Sequence, residues 1–421
     1  MMDHPFVYPA QVGTQNFGQI RINLITAGEF RPVENATVQI SSTSDPETVI
    51  EEVKTNESGQ TQAIDVPAPN IENSMEPESG QPYSEYNITA TAPGFERLLV
   101  SGVQVFPQVT ALQESRLNAS QEPAERDISI PPHTLFGDFP PKIAEDEIKT
   151  VAETGEIVLS EVVIPETIIV HDGPPDDASA NNYYVRYRDY IKNVASSEIY
   201  ATWSESTIIA NILAIMSFTL NRVYTEWYRG KGYNFTITSS TAYDQFFVYG
   251  RNIHTNISSI VDTIFSNYLT RPNIQQPVLT QYCDGRTVTC PKWLSQWGSK
   301  ELGERGYEAI EILRNYYGNN MYIETAEQVS GVPSSFPGTN LSIGSRGDSV
   351  RQMQQQLSRI SDNFPAIPKV ADDGVFGTTT EEAVKKFQEI FGLPANGIVD
   401  FPTWYKISAI YVAVSRIAEL T

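Results

Sequence analysis

The chain has 421 residues, with 51 acidic against 29 basic side chains and a formal net charge of −22. Residues 1–180 hold 29 acids and 8 bases, whereas residues 181–421 hold 22 and 21, so the acidity belongs to the first part of the molecule. This balance excludes a general nucleic-acid binder, which needs a basic face to displace phosphate counterions, and a 40% hydrophobic, 10% aromatic composition excludes a wholly disordered chain.

The length suggests two to four domains with sizeable cores. Residues 1–20 contain no basic stretch followed by an apolar core, so no ordinary secretory signal is expected. The longest apolar run, 208–218, is about half the ~20 residues a bilayer requires and contains Asn211, so no membrane insertion is expected. Cys283 and Cys290 are the two cysteines, spaced either for one local disulfide or for two thiols. The histidines His4, His133, His171 and His254 show no ligand-like spacing with them, so no metal and no cofactor are expected. Neither a Gly-rich phosphate loop nor H-E-x-x-H is present.

In chain order, alternating runs at 18–26, 37–41, 49–54, 60–66, 86–92, 98–105 and 109–117 predict seven short strands. Strands at that spacing, separated by Gly, Pro, Asn and Ser, fold as an antiparallel β-sandwich. Residues 118–155 are rich in Pro and acid, poor in apolar periodicity, and read as an extended, solvated linker open to proteolysis. One or two strands follow in GEIVLSEVVIPETIIVHDG, then a surface loop at 171–182.

Residues 156–335 read as an α+β domain whose aromatic centre is 181–330. A helix is predicted over 206–229, capped by Ser204 or Ser206, with Ile208, Ile212, Leu213, Met216, Leu220 and Val223 on one face. Further helices are predicted over 256–269 and 299–317. Residues 336–421 read as a three-helix module, with Asp348 as a cap, a capping box at Thr378–Glu381 or Thr379–Glu382, and Trp404, Ile407 and Tyr411 on the closing helix.

Glu198 stands out. It precedes the long helix in SSEIYATW, beside Ile199, Tyr200 and Trp203, with no basic residue within five positions. Such apolar surroundings raise a carboxyl pKa and suit a general acid. Glu205, in the first helical turn, is explained by the helix dipole, and Glu226 by a solvated face.

The segments GQIRINLITA, ENATVQISST and YNITATAPGFERLLVSGVQV resemble a transthyretin-like sandwich. The motifs IGSRGDSVRQMQQQL, DDGVFGTTTEEAVKKFQ and GLPANGIVDFPTW resemble the three-helix peptidoglycan-binding domain, although SDNFPAIPKVA is longer than its usual connection. YIKNVASSEIYATWSESTIIANILAIMSFTLNR and SQWGSKELGERGYEAIEILRNYYG resemble the SpoIID family of peptidoglycan lytic transglycosylases. The Cys and His that some of its members carry are missing from TITSSTAYDQFFVYG.

The whole order resembles that of spore cortex-lytic enzymes. That resemblance implies a zymogen of the dormant spore's cortex and coat region. Its partners would be cortex peptidoglycan and activating subtilisin-like Csp proteases, with residues 1–117 as prosegment. It also implies Glu198 as the catalytic acid/base, with Tyr200, Trp203, Tyr243, Asp244, Gln296 and Trp297 as candidate substrate contacts. A hydrolytic muramidase or glucosaminidase, and a non-catalytic wall-binding protein, are the alternatives. If the acidic leader repels anionic cortex, neutralising its charge raises wall binding of the intact chain in a pull-down assay; unchanged binding assigns the charge to solubility.

Overall fold

The computed structural model describes residues 16–133, 135, 139–149 and 161–415. The end of the expected linker and the first part of GEIVLSEVV, residues 150–160, lie outside the described residues.

All seven expected strands are present: β1 (Asn16–Thr26), β2 (Thr37–Ser42), β3 (Asp45–Lys54), β4 (Ile64–Ala68), β5 (Ser84–Thr91), β6 (Arg97–Val105) and β7 (Thr110–Leu117). A single helical turn, α1 (Glu72–Met75), lies between β4 and β5. Alternation does the work: Gly18, Ile20, Ile22 and Leu24 of β1 face inward, while Gln19, Arg21 and Asn23 face out. β1 pairs antiparallel with β4 and parallel with β7. The second sheet runs in the order β3-β2-β5-β6. Ile20, Ile22, Val38, Ile40, Ile88 and Val100 from both sheets share one core, which makes this body a sandwich.

The stretch expected to be a solvated linker departs from that reading. Residues Glu125–Ser129 form β8, which pairs in parallel with β6 from Arg97↔Glu125 to Ser101↔Ser129. Arg126 pairs with Glu96 at 2.7 Å, and Ile130, His133 and Leu135 are buried. Five residues with only Arg126 and Ile128 half-buried carry too short an alternation to be read. The sandwich also accepts a strand from the middle body: Ile253–His254 pairs antiparallel with β7.

The middle body contains α2 (Tyr187–Glu198), α3 (Glu205–Tyr224), α4 (Thr255–Ile264), α5 (Gln296–Glu304) and α6 (Ala309–Tyr317), with small sheets around them. Helix α2 was not expected. α3 starts at Ser204, whose hydroxyl accepts the Thr207 N–H, and stops before Glu226, which sits at φ +48°. By length and composition α3 could cross a membrane, but 83% of its most apolar window is buried inside the molecule. Its polar groups fasten the surroundings: Asn211 donates to Ser299, Ser217 to the Val278 carbonyl, and Asn221 to the Pro277 carbonyl. The helix expected over 256–269 ends at Ile264, because Asn267–Thr270 is recruited as a strand against Tyr322–Thr325. The helix expected over 299–317 is two helices, separated by Gly306 at φ +84° and restarted by the Glu308–Glu311 capping box.

The last body has three helices, α7 (Asp348–Asn363), α8 (Thr378–Ile390) and α9 (Phe401–Ser415). Neither expected side-chain cap forms at α7 or α8; Gly347 and Gly377 occupy those cap positions. A repeated device links the helices. The Gln354 amide donates to the Val375 carbonyl at 2.9 Å while its oxygen accepts the Gly374 N–H at 2.9 Å. Gln388 does the same to Ile398 and Gly397, both at 2.9 Å. Gly374 and Gly397 each sit at φ +75°, where a side chain would be strained.

The bodies meet around Asp262 of α4, which is 2% exposed. It receives Lys192 of α2 at 2.7 Å, Arg188 of α2 at 3.3 Å and Lys406 of α9 at 3.3 Å. Burial alone would raise its pKa, but the three cations hold it below the usual carboxylate value. Asp262→Asn strands those cations and should destabilise the chain by about 3–5 kcal/mol. A carboxyl with a depressed folded pKa stabilises the fold above its unfolded value, about pH 4, and loses that as pH falls through the folded value. The gap in Tm between wild type and variant should therefore be constant from about pH 5 to 7 and close in stronger acid.

Candidate active site

Helix α2 terminates at Glu198, where the Ile199 N–H still bonds to the Ala195 carbonyl at 3.1 Å. The Glu198 side chain is 7% exposed. Its Oε1 accepts the Phe246 N–H at 2.7 Å, while Oε2 is buried without a hydrogen-bond partner. Gln296, the first residue of α5, donates to the Glu198 carbonyl at 3.0 Å and so fixes the end of α2 to the start of α5. Glu198 borders a cavity of about 70 Å³ walled by Phe139, Pro140, Lys142, Phe246, Tyr282 and Val288. Burial raises the Glu198 pKa, and Lys142, the Phe246 N–H and the Tyr282 hydroxyl offset only part of that rise.

The second carboxylate at the cavity, Asp284, is fully engaged. Its Oδ1 accepts the Arg286 and Val288 N–H groups at 3.1 and 3.0 Å, and its Oδ2 accepts the Thr287 N–H at 3.1 Å and the Thr287 hydroxyl. It organises the loop that the Cys283–Cys290 disulfide closes, with Cα atoms 5.8 Å apart. Disulfide and carboxylate together shape the Val288 rim of the cavity.

Residues 139–149 lie across this site. The Lys142 ammonium donates to the Asp244 carbonyl at 2.7 Å and stands 4.5 Å from the Tyr282 ring centre. Ile143 bonds to Ala242 and Gln281, Glu145 to Gln281, and Glu147 to Leu279, all through main-chain atoms of this segment. The Glu145 carboxylate grips Arg222 with both oxygens, at 2.6 and 3.0 Å. The Phe139 ring stands 5.9 Å from that of Phe246. Leu135, just upstream, donates its N–H to the Tyr200 hydroxyl at 3.3 Å.

Of the residues singled out in the sequence, Glu198 and Gln296 meet at the cavity. Tyr200, Trp203 and Trp297 do not. They are core residues in mutual ring contact, with centroids 5.2–5.9 Å apart, packed beneath the sandwich. The Trp203 indole donates to the Ser74 carbonyl of α1. Asp244 is a buried anchor: Oδ1 accepts from Arg222 at 2.7 Å, and Oδ2 accepts from Tyr228 at 2.6 Å and from the Thr238 amide and hydroxyl. Tyr243 contributes its carbonyl to Arg222. Glu205 and Glu226 are both remote from the cavity, Glu226 pairing with Arg229 at 3.7 Å. Phe246, Tyr282, Asp284 and Lys142 were not singled out; aromatic and acidic residues next to a disulfide loop are the signal that could have drawn attention to Tyr282 and Asp284.

Residues 346–407 match the family model described as "Putative peptidoglycan binding domain". A curated relative, a zinc D-Ala-D-Ala carboxypeptidase of Streptomyces albus G, is 41% identical over 68 residues, which is 16% of this chain and 25% of that protein. The chain therefore spans a quarter of the length of that relative. Among solved structures, the Bacillus anthracis TIE protein aligns at 14% identity and TM-score 0.18, over 25% of this chain and 17% of its own. The Klebsiella pneumoniae 5-hydroxyisourate hydrolase aligns at 13% identity and TM-score 0.16, over 24% of this chain and 87% of its own. These structural likenesses are too slight to bear on the fold. The chain is multidomain, and its last helical body, which contains residues 346–407, is similar to the peptidoglycan-binding domain family.

The pKa of Glu198 yields a signed prediction. A carboxyl whose folded pKa exceeds its unfolded value favours the fold below the unfolded pKa and loses that contribution as pH rises through the folded value. Glu198→Gln should therefore melt above wild type at pH 7 and by a smaller margin at pH 4, as scanning calorimetry would record.

Proposed function

We propose that the chain is a peptidoglycan lytic transglycosylase, with a SpoIID-like middle domain, a transthyretin-like leader and Glu198 as its single acid/base. The protonated carboxyl donates to the glycosidic oxygen between MurNAc and GlcNAc, and the C1–O bond breaks. The carboxylate then takes the proton of the MurNAc C6 hydroxyl as O6 closes on C1, leaving a 1,6-anhydro end and restoring the acid. No water is consumed. What supports this reading above all is that, among the described residues lining the cavity, Glu198 gives only Oε1 to a main-chain N–H and keeps Oε2 buried at the wall, whereas Asp284 spends both oxygens on its own loop. Most hydrolytic glycosidases need two available carboxylates.

The chain also reads as a zymogen of the SleC type, acting on spore cortex during germination and stored in the cortex and coat region. In that reading residues 139–149 hold the site closed until a subtilisin-like Csp protease cuts the chain. Lys142 sits where a sugar would approach Glu198, and Glu145 ties the segment down through Arg222.

The test is mass spectrometry of cortex peptidoglycan treated with intact chain, protease-cut chain and cut Glu198→Gln chain. Cut wild type should release anhydro-muramic ends, with the intact chain far slower and Glu198→Gln reduced at least ~100-fold, the usual scale of a general acid. Reducing ends in place of anhydro ends would assign a hydrolase, and full activity of the Glu198 variant would remove the site altogether.

A further inference from the structure

A second cavity, of about 640 Å³, opens where the three bodies meet. Its walls are the outer face of β1 and β7, the stretch from α2 to α4 in the middle body, the end of α8 and the middle of α9. Such a volume is typical of small-molecule sites. Its charge is opposite to that of the chain. In a molecule of net charge −22, Arg21, Arg116, Arg186, Lys192, Arg251 and Lys406 line it against only Glu114 and Asp189.

Three of these cations make no salt bridge, although Glu85 acts on Arg251 and Asp189 and Glu114 act on Arg116 from further off. Among the described residues Arg21, Arg116 and Arg251 form no ion pair, and the Nε atoms of Arg21 and Arg251 are buried without a hydrogen-bond partner. Arg251 is 5% exposed, and its two terminal nitrogens reach only neutral oxygens, of Gln104 at 2.6 Å and Pro131 at 3.0 Å. The remaining cations do not relieve it: Lys192 and Lys406 share the single Asp262, and Arg186 has Asp189 at 2.7 Å. Burial and the neighbouring Arg186 charge both lower the Arg116 pKa, and burial pushes Lys406 down to about 8 and Arg251 to about 10.

Unpaired cations crowded at a buried junction cost stability. That cost is ordinarily carried by a site that binds something. Guanidinium forks match oxyanions in two-point contacts that ammonium groups cannot make. We propose that this junction binds a small multivalent oxyanion, a polycarboxylate or a phosphate, which ties the sandwich, the middle body and the wall-binding domain together. The inference does not depend on the reading of Glu198.

Isothermal titration calorimetry on the full chain tests it, with citrate and tripolyphosphate as probes and acetate at matched ionic strength as reference. Saturable binding of one probe or both is expected, weakened at least tenfold in the double variant R21Q/R116Q. Which probe binds more tightly separates the carboxylate source from the phosphate source. Without anion, the double variant should melt at or above the wild-type temperature, because repulsion has been removed; a purely structural role for these arginines would lower it. Arg116→Lys, which keeps the charge but not the fork, should fold and bind with intermediate affinity, and it stands in should the double variant fail to fold. Heats no larger than those of acetate, or undiminished affinity in the variants, would overturn the proposal.

Discussion

The Arg222 guanidinium is fully buried, and three parts of the molecule converge on it. It leaves the last turn of α3, takes Asp244 through Nε at 2.7 Å, and takes Glu145 through both terminal nitrogens. A buried cation of this kind is costly alone and tolerable only with its hydrogen-bonding capacity filled. The two carboxylates meet that need, and each positions something else. Asp244 gathers Tyr228 and Thr238, fixing the loop that delivers the Phe246 N–H to Glu198. Glu145 brings the covering segment with it. One charge thus sets both the glutamate and the segment that closes over it.

This also gives the uneven charge of the chain a physical meaning. The acids of residues 139–149 are not a diffuse repulsive tail. Glu145 docks on Arg222 and Glu147 on Arg271 at 2.6 Å, and the base-bearing partners lie in the near-neutral part of the sequence. Lys149 reinforces Glu145 at 2.6 Å. Pairs half or more withdrawn from solvent are screened far less than surface pairs, so this docking should resist salt better than a solvated acidic leader would. Residues 139–149 form no strand and are held by main-chain bonds at Ile143 and Glu147 as well as by these side chains.

The sandwich was legible because a half-buried strand writes its burial into every second residue, as β1 does from Gly18 to Leu24. Glu198 was legible for a different reason: a carboxyl in an apolar, base-free stretch of sequence stays in an apolar place when α2 ends there. Tyr200, Trp203 and Trp297 mark the limit of that logic. Large aromatics near a candidate acid look like sugar platforms in one dimension, yet their area is worth more buried, and the sandwich offered them Ser74 and Phe106 as partners. The covering segment was illegible because its contacts are long-range. Lys142 meets Asp244 across 102 residues and Glu145 meets Gln281 across 136, and no local period encodes such pairings. The break between α5 and α6 was missed because the apolar period runs on through Gly306, where backbone geometry overrules it.

The wall-binding domain is not hung on a loose tether. Lys406 of α9 reaches Asp262, and Asp262 holds Lys192, less than two helical turns before Glu198 on the same α2. Arg188, one turn further back on α2, donates to the Tyr405 carbonyl at 2.9 Å, so α9 holds that helix directly there and through Asp262 of α4 at Lys192. A helix resists bending over so few turns, and the position of the glutamate relative to the wall-binding domain is therefore fixed in the intact chain. A polymeric substrate held by that domain would meet the Glu198 cavity at one distance and in one orientation. If the proposed activity holds, cleavage would fall at a set reach from the bound strand, and the buried four-charge cluster that sets this reach can be followed independently of catalysis.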